Sequence, residues 1–214
     1  MLQLYGIPRS RASRCLWMLE ELGQPYELVE KTAHPDDVRT DEYLRLNPTA
    51  RIPSLVDGEF IVWESLAINL YLARKFEGTM NLGTPEVMAL ATQWSIWVAL
   101  EVEPLALDFL HHRAALDKFT RDESLAERNE LLLQKPLGVL NETLQDRRYL
   151  LGDDFSVADL NVASILNWAK KAGGDFSGVP EVERWLDICL ERPANGRVHE
   201  MIVRYESENQ DIIS

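Results

Sequence analysis

The stretch LYGIPRSRASRCLWMLEELGQPYE, residues 4–27, decides how the rest of the chain is read. Leu2 and Leu4 alternate ahead of Ile7, as in a short strand. From Ala12 to Leu22 the pattern turns helical, with Cys15, Leu19 and Leu22 on one face. Gly23 supplies a C-terminal stop and Pro25 stands just beyond it. Tyr26–Glu30 reads as a second strand. The opening is therefore strand, helix, strand.

Working outward, Thr32–Leu46 is polar, with His34-Pro35-Asp36-Asp37 as a loop signal. Ile52–Val56 and Phe60–Trp63 are short β-runs joined by the turn residues Asp57-Gly58-Glu59. Ser65 opens a helix, Leu66–Phe76, apolar on nearly every side and so expected to lie buried between layers. Residues 78–85, with two glycines and a proline, read as a linker. Everything after them is helical in pattern: Glu86–Leu116 with a bend at Pro104, Ser124–Asp146 with another at Pro136, Phe155–Ala172, Pro180–Glu191, and a short closing segment after Asn195. The expected architecture is an α/β domain over residues 1–77, a linker over 78–85 and an all-α helical-bundle domain over 86–214. A cleft between two unlike domains is a natural ligand site.

The net charge of −13 argues against nucleic acid or an anionic membrane as a partner, because both need a basic patch. No apolar run is long enough to span a membrane, and MLQLYGIPRSR lacks the charged-then-apolar order of a signal peptide. Cys15 and Cys189 give no disulfide framework. With four histidines that do not cluster near them, no metal site is expected. A reducing, cytoplasmic setting fits.

Three constellations carry chemistry. Ser10 and Ser13 lie between the first strand and the first helix, where a hydroxyl either caps the helix or serves a ligand at its positive end. No G-x-S-x-G elbow surrounds either serine, which argues against a serine nucleophile. Pro53 is either a strand-edge proline or the second residue of a cis Ile52–Pro53 bond that turns the Ile52 backbone toward a peptide-like ligand. Glu64-Ser65 is either an N-cap or a site for both ends of an α-amino acid, the helix N-terminus and the Ser65 hydroxyl taking the carboxylate and Glu64 the ammonium.

LYGIPRSRASRCLWMLEELGQPYE, LNPTARIPSLVDG and ESLAINLYLARKF resemble, in order and spacing, the N-terminal domain of the glutathione transferases. GDDFSVADLNVAS resembles that family's C-terminal helix motif, with Ser156 and Asp159 as a variant capping box. The resemblance covers nearly the whole chain and points to the serine-type, bacterial-like cytosolic members. It implies a thioredoxin-like N-terminal domain, an all-helical second domain with a pocket for a hydrophobic electrophile, a homodimer, and glutathione as co-substrate.

Position by position, Ser10 matches the catalytic serine of the serine-type classes, with Ser13 as the alternative. Ile52 and Pro53 match the pair that holds the cysteinyl part, and Glu64 and Ser65 match the γ-glutamyl site. Arg51 stands where the pattern often has lysine and could meet the glycine carboxylate. Ala50 replaces a usual glycine. Trp94, Trp97, Leu100 and Phe109 are candidates for the electrophile pocket, or for core and dimer contacts.

A thiol of pKa about 8.5 lowered by two units needs roughly 2.7 kcal/mol. One charged-group hydrogen bond of about 1.5–3 kcal/mol and a helix terminus of about 0.3–1 kcal/mol reach that. The competing functions are a glutathione-dependent isomerase or disulfide reductase, which would need a cysteine where Ser10 or Ser13 stands, and a non-catalytic binding or regulatory member of the fold.

Overall fold

The computed structural model describes residues 1–76, 78, 80, 82–114 and 121–209. It divides into two compact units, Met1–Asn81 with Pro193–Ser214, and Leu82–Arg192.

The first unit holds β1 (Leu2–Gly6), α1 (Ala12–Leu22), β2 (Tyr26–Glu30), α2 (Pro35–Val38), α3 (Asp41–Leu46), β3 (Ser54–Asp57), β4 (Phe60–Trp63) and α4 (Ser65–Lys75). The sheet order is β2-β1-β3-β4, with β1 parallel to β2 and antiparallel to β3, and β3 antiparallel to β4. This is a thioredoxin-like α/β arrangement. Gly23 ends α1 in the left-handed conformation (φ 60°), and its N–H bonds back to the Leu19 carbonyl.

Two short helices occupy the polar stretch 32–46, the first of them on residues 34–37, expected to form a loop. Pro35 starts α2 at a position where its missing N–H costs nothing, and Thr40 Oγ1 caps α3 by accepting from the Tyr43 N–H at 3.2 Å.

The expectation that the helix after Ser65 is buried all round is corrected. α4 buries one stripe, Ser65, Ile68, Asn69, Leu72 and Ala73, and exposes Arg74 and Lys75. Lys75 pairs instead with Asp57. The helix buried on most sides is α1, where Arg14 through Leu19 are all buried. The reason is a further helix. The expected short segment after Asn195 is a 16-residue helix, Pro193–Glu208, which packs on α1. The second compact unit therefore ends at Arg192, whereas the helical domain was expected to run to 214.

The second unit contains α5 (Pro85–Trp97), a π-helical turn (Val98–Val102), α6 (Glu103–Ala114), α7 (Glu123–Thr143), α8 (Val157–Lys171) and α9 (Pro180–Leu190), and Pro193–Glu208 is α10. Pro104 cannot donate to the carbonyl four residues back. The register slip that accommodates it is the π turn just before it. Pro136 lies inside α7 without ending it. The expected end of the first helix at Leu116, the linker residues Thr79 and Asn81, and the last five residues lie outside the described residues.

The core of this unit is organised by Asp159, which is fully buried. Its Oδ2 accepts from the Ser156 N–H (3.0 Å) and Oγ–H (2.6 Å), and its Oδ1 from the Leu150 N–H (2.8 Å) and the Trp185 Nε1–H (2.9 Å). Burial pushes this carboxyl above its ordinary range, and the four bonds pull against that. Of the four residues considered for the electrophile pocket, Phe109 and Trp94 are buried and Trp97 stacks edge-on to Trp94 at 5.0 Å, while Leu100 is 69% exposed. Phe109 and Trp94 are thus core residues. Among the described residues no helix is long and apolar enough to cross a membrane.

Candidate functional site

Strand register places the candidate segments together. Tyr5 pairs with Ser54, and Ser54 with Trp63. The C-terminal end of β1, the start of β3 and the C-terminal end of β4 thus form one row. The loop carrying Ser10 leaves from that row, Arg51-Ile52-Pro53 enters it, and Glu64-Ser65 leaves it. In open α/β sheets the ligand crevice lies at the carboxyl ends of strands.

Gly6 shows how tight this end is. A Cβ there would lie 2.7 Å from the Ala12 Cβ and 3.8 Å from the Cβ atoms of Ile52 and Pro53. The start of α1 and the Ile52–Pro53 pair are therefore packed around one glycine that only glycine can fill. The Ile52–Pro53 peptide bond is cis, and the β3 ladder begins at Ser54, so Ile52 stands outside it.

The segment 7–13 is a hydrogen-bonded turn. The Ser10 N–H donates to the Ile7 carbonyl (3.1 Å) and the Ser13 N–H to the Ser10 carbonyl (3.0 Å). The Ser10 hydroxyl accepts from the Ala12 N–H (3.1 Å) and donates to the Ile7 carbonyl (2.7 Å). It thus satisfies the first amide of α1 from one position ahead of the formal cap, Arg11, whose side chain makes no cap bond. The Ser13 hydroxyl, half-buried, has no hydrogen-bond partner among the described residues. Cys15 faces inward, its Sγ 3.5 Å from the Ser65 carbonyl, and burial pushes its thiol far up. Both cysteines are buried.

The segment before β3 is anchored by side chains the sequence reading did not single out. The Arg51 carbonyl accepts from the Tyr43 hydroxyl (2.7 Å) and from Asn47 Nδ2 (2.8 Å). Asn47 Oδ1 takes the Thr49 N–H (3.0 Å) and Oγ1–H (2.7 Å), an Asx turn legible in Asn-Pro-Thr. Burial raises the Tyr43 phenol. The Arg51 side chain is exposed. Ala50 sits at φ 53°, so the residue that replaces glycine occupies the left-handed conformation, at roughly 1–2 kcal/mol relative to glycine.

Glu64 also has positive φ, at 70°. It is exposed and makes no side-chain cap bond, and Ser65 is the first helical residue, not the cap. The Ser65 hydroxyl is buried, 3.4 Å from Arg14 Nη1, and Asn69 Nδ2 donates to the Arg14 carbonyl at 3.2 Å. Arg14 is a further contributor that sequence reasoning missed, after Tyr43 and Asn47. A buried cation beside a helix N-terminus favours an anion there, but an arginine on a helix gives no such signal until its neighbours are known.

Comparison with known proteins meets this geometry. The family model for the glutathione S-transferase N-terminal domain matches residues 1–74, and that for the C-terminal domain matches residues 101–193. A glutathione S-transferase of Hyoscyamus muticus is 31% identical over 202 residues, covering 90% of this chain and 95% of the relative. Glutathione S-transferase 3 of Zea mays is 32% identical over 206 residues, covering 90% of each. The solved structure of a glutathione S-transferase-I bound with lactoylglutathione superposes with a TM-score of 0.85 at 29% identity, over 94% of this chain and 99% of that one. The URE2P5 glutathione transferase of Phanerochaete chrysosporium superposes with a TM-score of 0.85 at 26% identity, over 98% and 97%. Sequence, domain models and fold thus converge, and the chain belongs to the glutathione S-transferase family of transferase enzymes.

Proposed function

We propose that the protein binds glutathione at the shared end of β1, β3 and β4, holds its thiol as a thiolate, and conjugates that thiolate to hydrophobic electrophiles. The observation that carries this reading is the convergence, in one register row, of the N-terminus of α1, the cis Ile52–Pro53 pair and the strained Glu64 at the N-terminus of α4. A positive-φ glutamate with an exposed carboxylate marks a site where strain is kept for use.

In this reading Ile52 pairs its backbone with the cysteinyl part, Ser65 and the α4 amides take the γ-glutamyl carboxylate, Glu64 takes the ammonium, and Arg51 reaches the glycine carboxylate. Ser10 supplies the thiolate's hydrogen bond. Its oxygen already accepts the Ala12 N–H, which polarises the O–H. Its proton needs only to turn from the Ile7 carbonyl to the sulfur. That exchanges a neutral bond of about 1 kcal/mol for a charge-assisted one of about 1.5–3 kcal/mol. Serine remains protonated throughout; the thiolate is the nucleophile.

The serine-type reading is kept. The bacterial-like placement is not, since the relatives that carry the family assignment are plant proteins. The disulfide-reductase reading needs an accessible thiol, and Cys15 is buried with a raised pKa. A homodimer in the cytoplasm completes the proposal. Phe60, Ile61 and Trp63 expose apolar surface on the edge strand β4, which suits an interface. Sedimentation at micromolar concentration should give twice the chain mass of 24.5 kDa; a lone monomer removes the dimer.

The functional test is retention on glutathione resin followed by turnover across a panel of electrophiles. Retention with measurable conjugation is expected. Retention without turnover of any electrophile would favour a binding module.

A further inference from the structure

Helix α10 is tied to the last turns of α1 and to the turn that leads into it. Early in α10, Arg197 Nε meets Glu20 Oε2 at 2.5 Å and Arg197 Nη2 donates to the Glu20 carbonyl at 3.0 Å. Late in α10, Glu206 pairs with Arg9 at 3.2 Å. The nine steps from Arg197 to Glu206 rise about 13 Å, close to the roughly 12 Å of α1 from its first residue to Glu20. So α10 lies antiparallel along α1, and its last turn stands beside the Ser10 turn. Burial, and then the charges of Glu30 and Asp37, raise the phenol of Tyr205, the neighbour of Glu206, and the Arg9 cation pulls the other way.

We infer that Glu206 is a positioning residue for the thiol site: through Arg9 it holds the 7–13 turn so that the Ser10 hydroxyl stays at the N-terminus of α1. The inference rests on the reading of Ser10 given above. Arg9 directly precedes Ser10, and Pro8 on its other side is buried. The backbone bonds from Ser10 to Ile7 and from Ser13 to Ser10 make the segment one unit. A pull on Arg9 is therefore transmitted to Ser10. The two side chains are 34% and 45% exposed, so the latch is weak and salt-sensitive.

The test titrates the ultraviolet thiolate absorbance of bound glutathione in the wild type, Glu206→Gln, Arg9→Gln, the double variant, and the charge-reversed Arg9→Glu/Glu206→Arg. Both single variants and the double variant should raise the thiolate pKa by the same amount, about 0.2–0.7 pH units, the reach of one exposed pair. The charge-reversed variant should return to the wild-type value, which also excludes misfolding as the cause. All differences should fade near 1 M salt, where the screening length is about 3 Å. Opposite shifts in the two single variants would mean charge acting through space, and no shift would mean no latch; either overturns the inference. If Ser10→Ala shifts the titration while Glu206→Gln does not, only this inference fails. If the wild type shows no lowered thiolate pKa, the underlying reading fails and takes the inference with it.

Discussion

Replacing Asp159 by alanine should lower stability by about 3–5 kcal/mol. The side chain accepts four hydrogen bonds while fully buried. Alanine would orphan the N–H groups of Leu150 and Ser156 and the Trp185 indole, at about 1–3 kcal/mol each before relaxation. Those donors come from the turn before α8, the cap of α8, and α9, so one carboxylate joins three parts of the helical unit. At about 2–4 °C per kcal/mol for a chain of this size, melting should fall by about 6–20 °C. Asp159→Asn keeps one acceptor oxygen and should cost roughly half as much. Thermal unfolding followed by circular dichroism is the check. A loss under 1 kcal/mol for the alanine variant would mean that water replaces the carboxylate.

Glu64→Ala should weaken glutathione binding about 10- to 150-fold, the equivalent of about 1.5–3 kcal/mol for a lost charge-assisted bond, and leave melting unchanged or slightly raised. The separation is possible because the Glu64 carboxylate is exposed and caps nothing. Its backbone is strained at φ 70°, so Glu64→Gly should bind as poorly as alanine and melt somewhat higher. Ser65→Ala is the less clean probe, because its hydroxyl also lies 3.4 Å from buried Arg14. Unchanged affinity in calorimetry, with a lower melting temperature, would make Glu64 a structural residue only.

Much of the first unit is legible in the sequence because its signals are local. Gly23 with Pro25 ends α1, and Asp57-Gly58-Glu59 turns β3 into β4. The Ser156–Asp159 pair is likewise visible as spacing, though not its reach to Leu150 and Trp185, which lie nine residues before and 26 residues after Asp159. What escaped depended on partners far along the chain. Part of the burial of α1 comes from α10, which packs on it from more than 170 residues later, as the Arg197–Glu20 pair marks. The weak amphipathicity of α4 hid a one-sided stripe because its exposed face carries alanine and tyrosine among its charges. At the site, the segments were readable as motifs. The anchoring of Arg51 by Tyr43 and Asn47, and the placing of Arg14 against Ser65, needed the fold.

The central claim is that the Ser10 hydroxyl stabilises a glutathione thiolate, and one titration tests it most directly. Thiolate absorbance of bound glutathione is followed against pH in the wild type, Ser10→Ala and Ser13→Ala. Because the Ser10 proton leaves the Ile7 carbonyl to serve the sulfur, the net gain is about 0.5–2 kcal/mol. Ser10→Ala should therefore raise the thiolate pKa by about 0.4–1.5 pH units. Conjugation at neutral pH should slow by about 3- to 30-fold, with affinity for glutathione little changed. Ser13→Ala should titrate like the wild type. A shift in Ser13→Ala with none in Ser10→Ala would move the role to the serine whose hydroxyl has no partner among the described residues, and a shift in neither would contradict the serine-type mechanism for this protein.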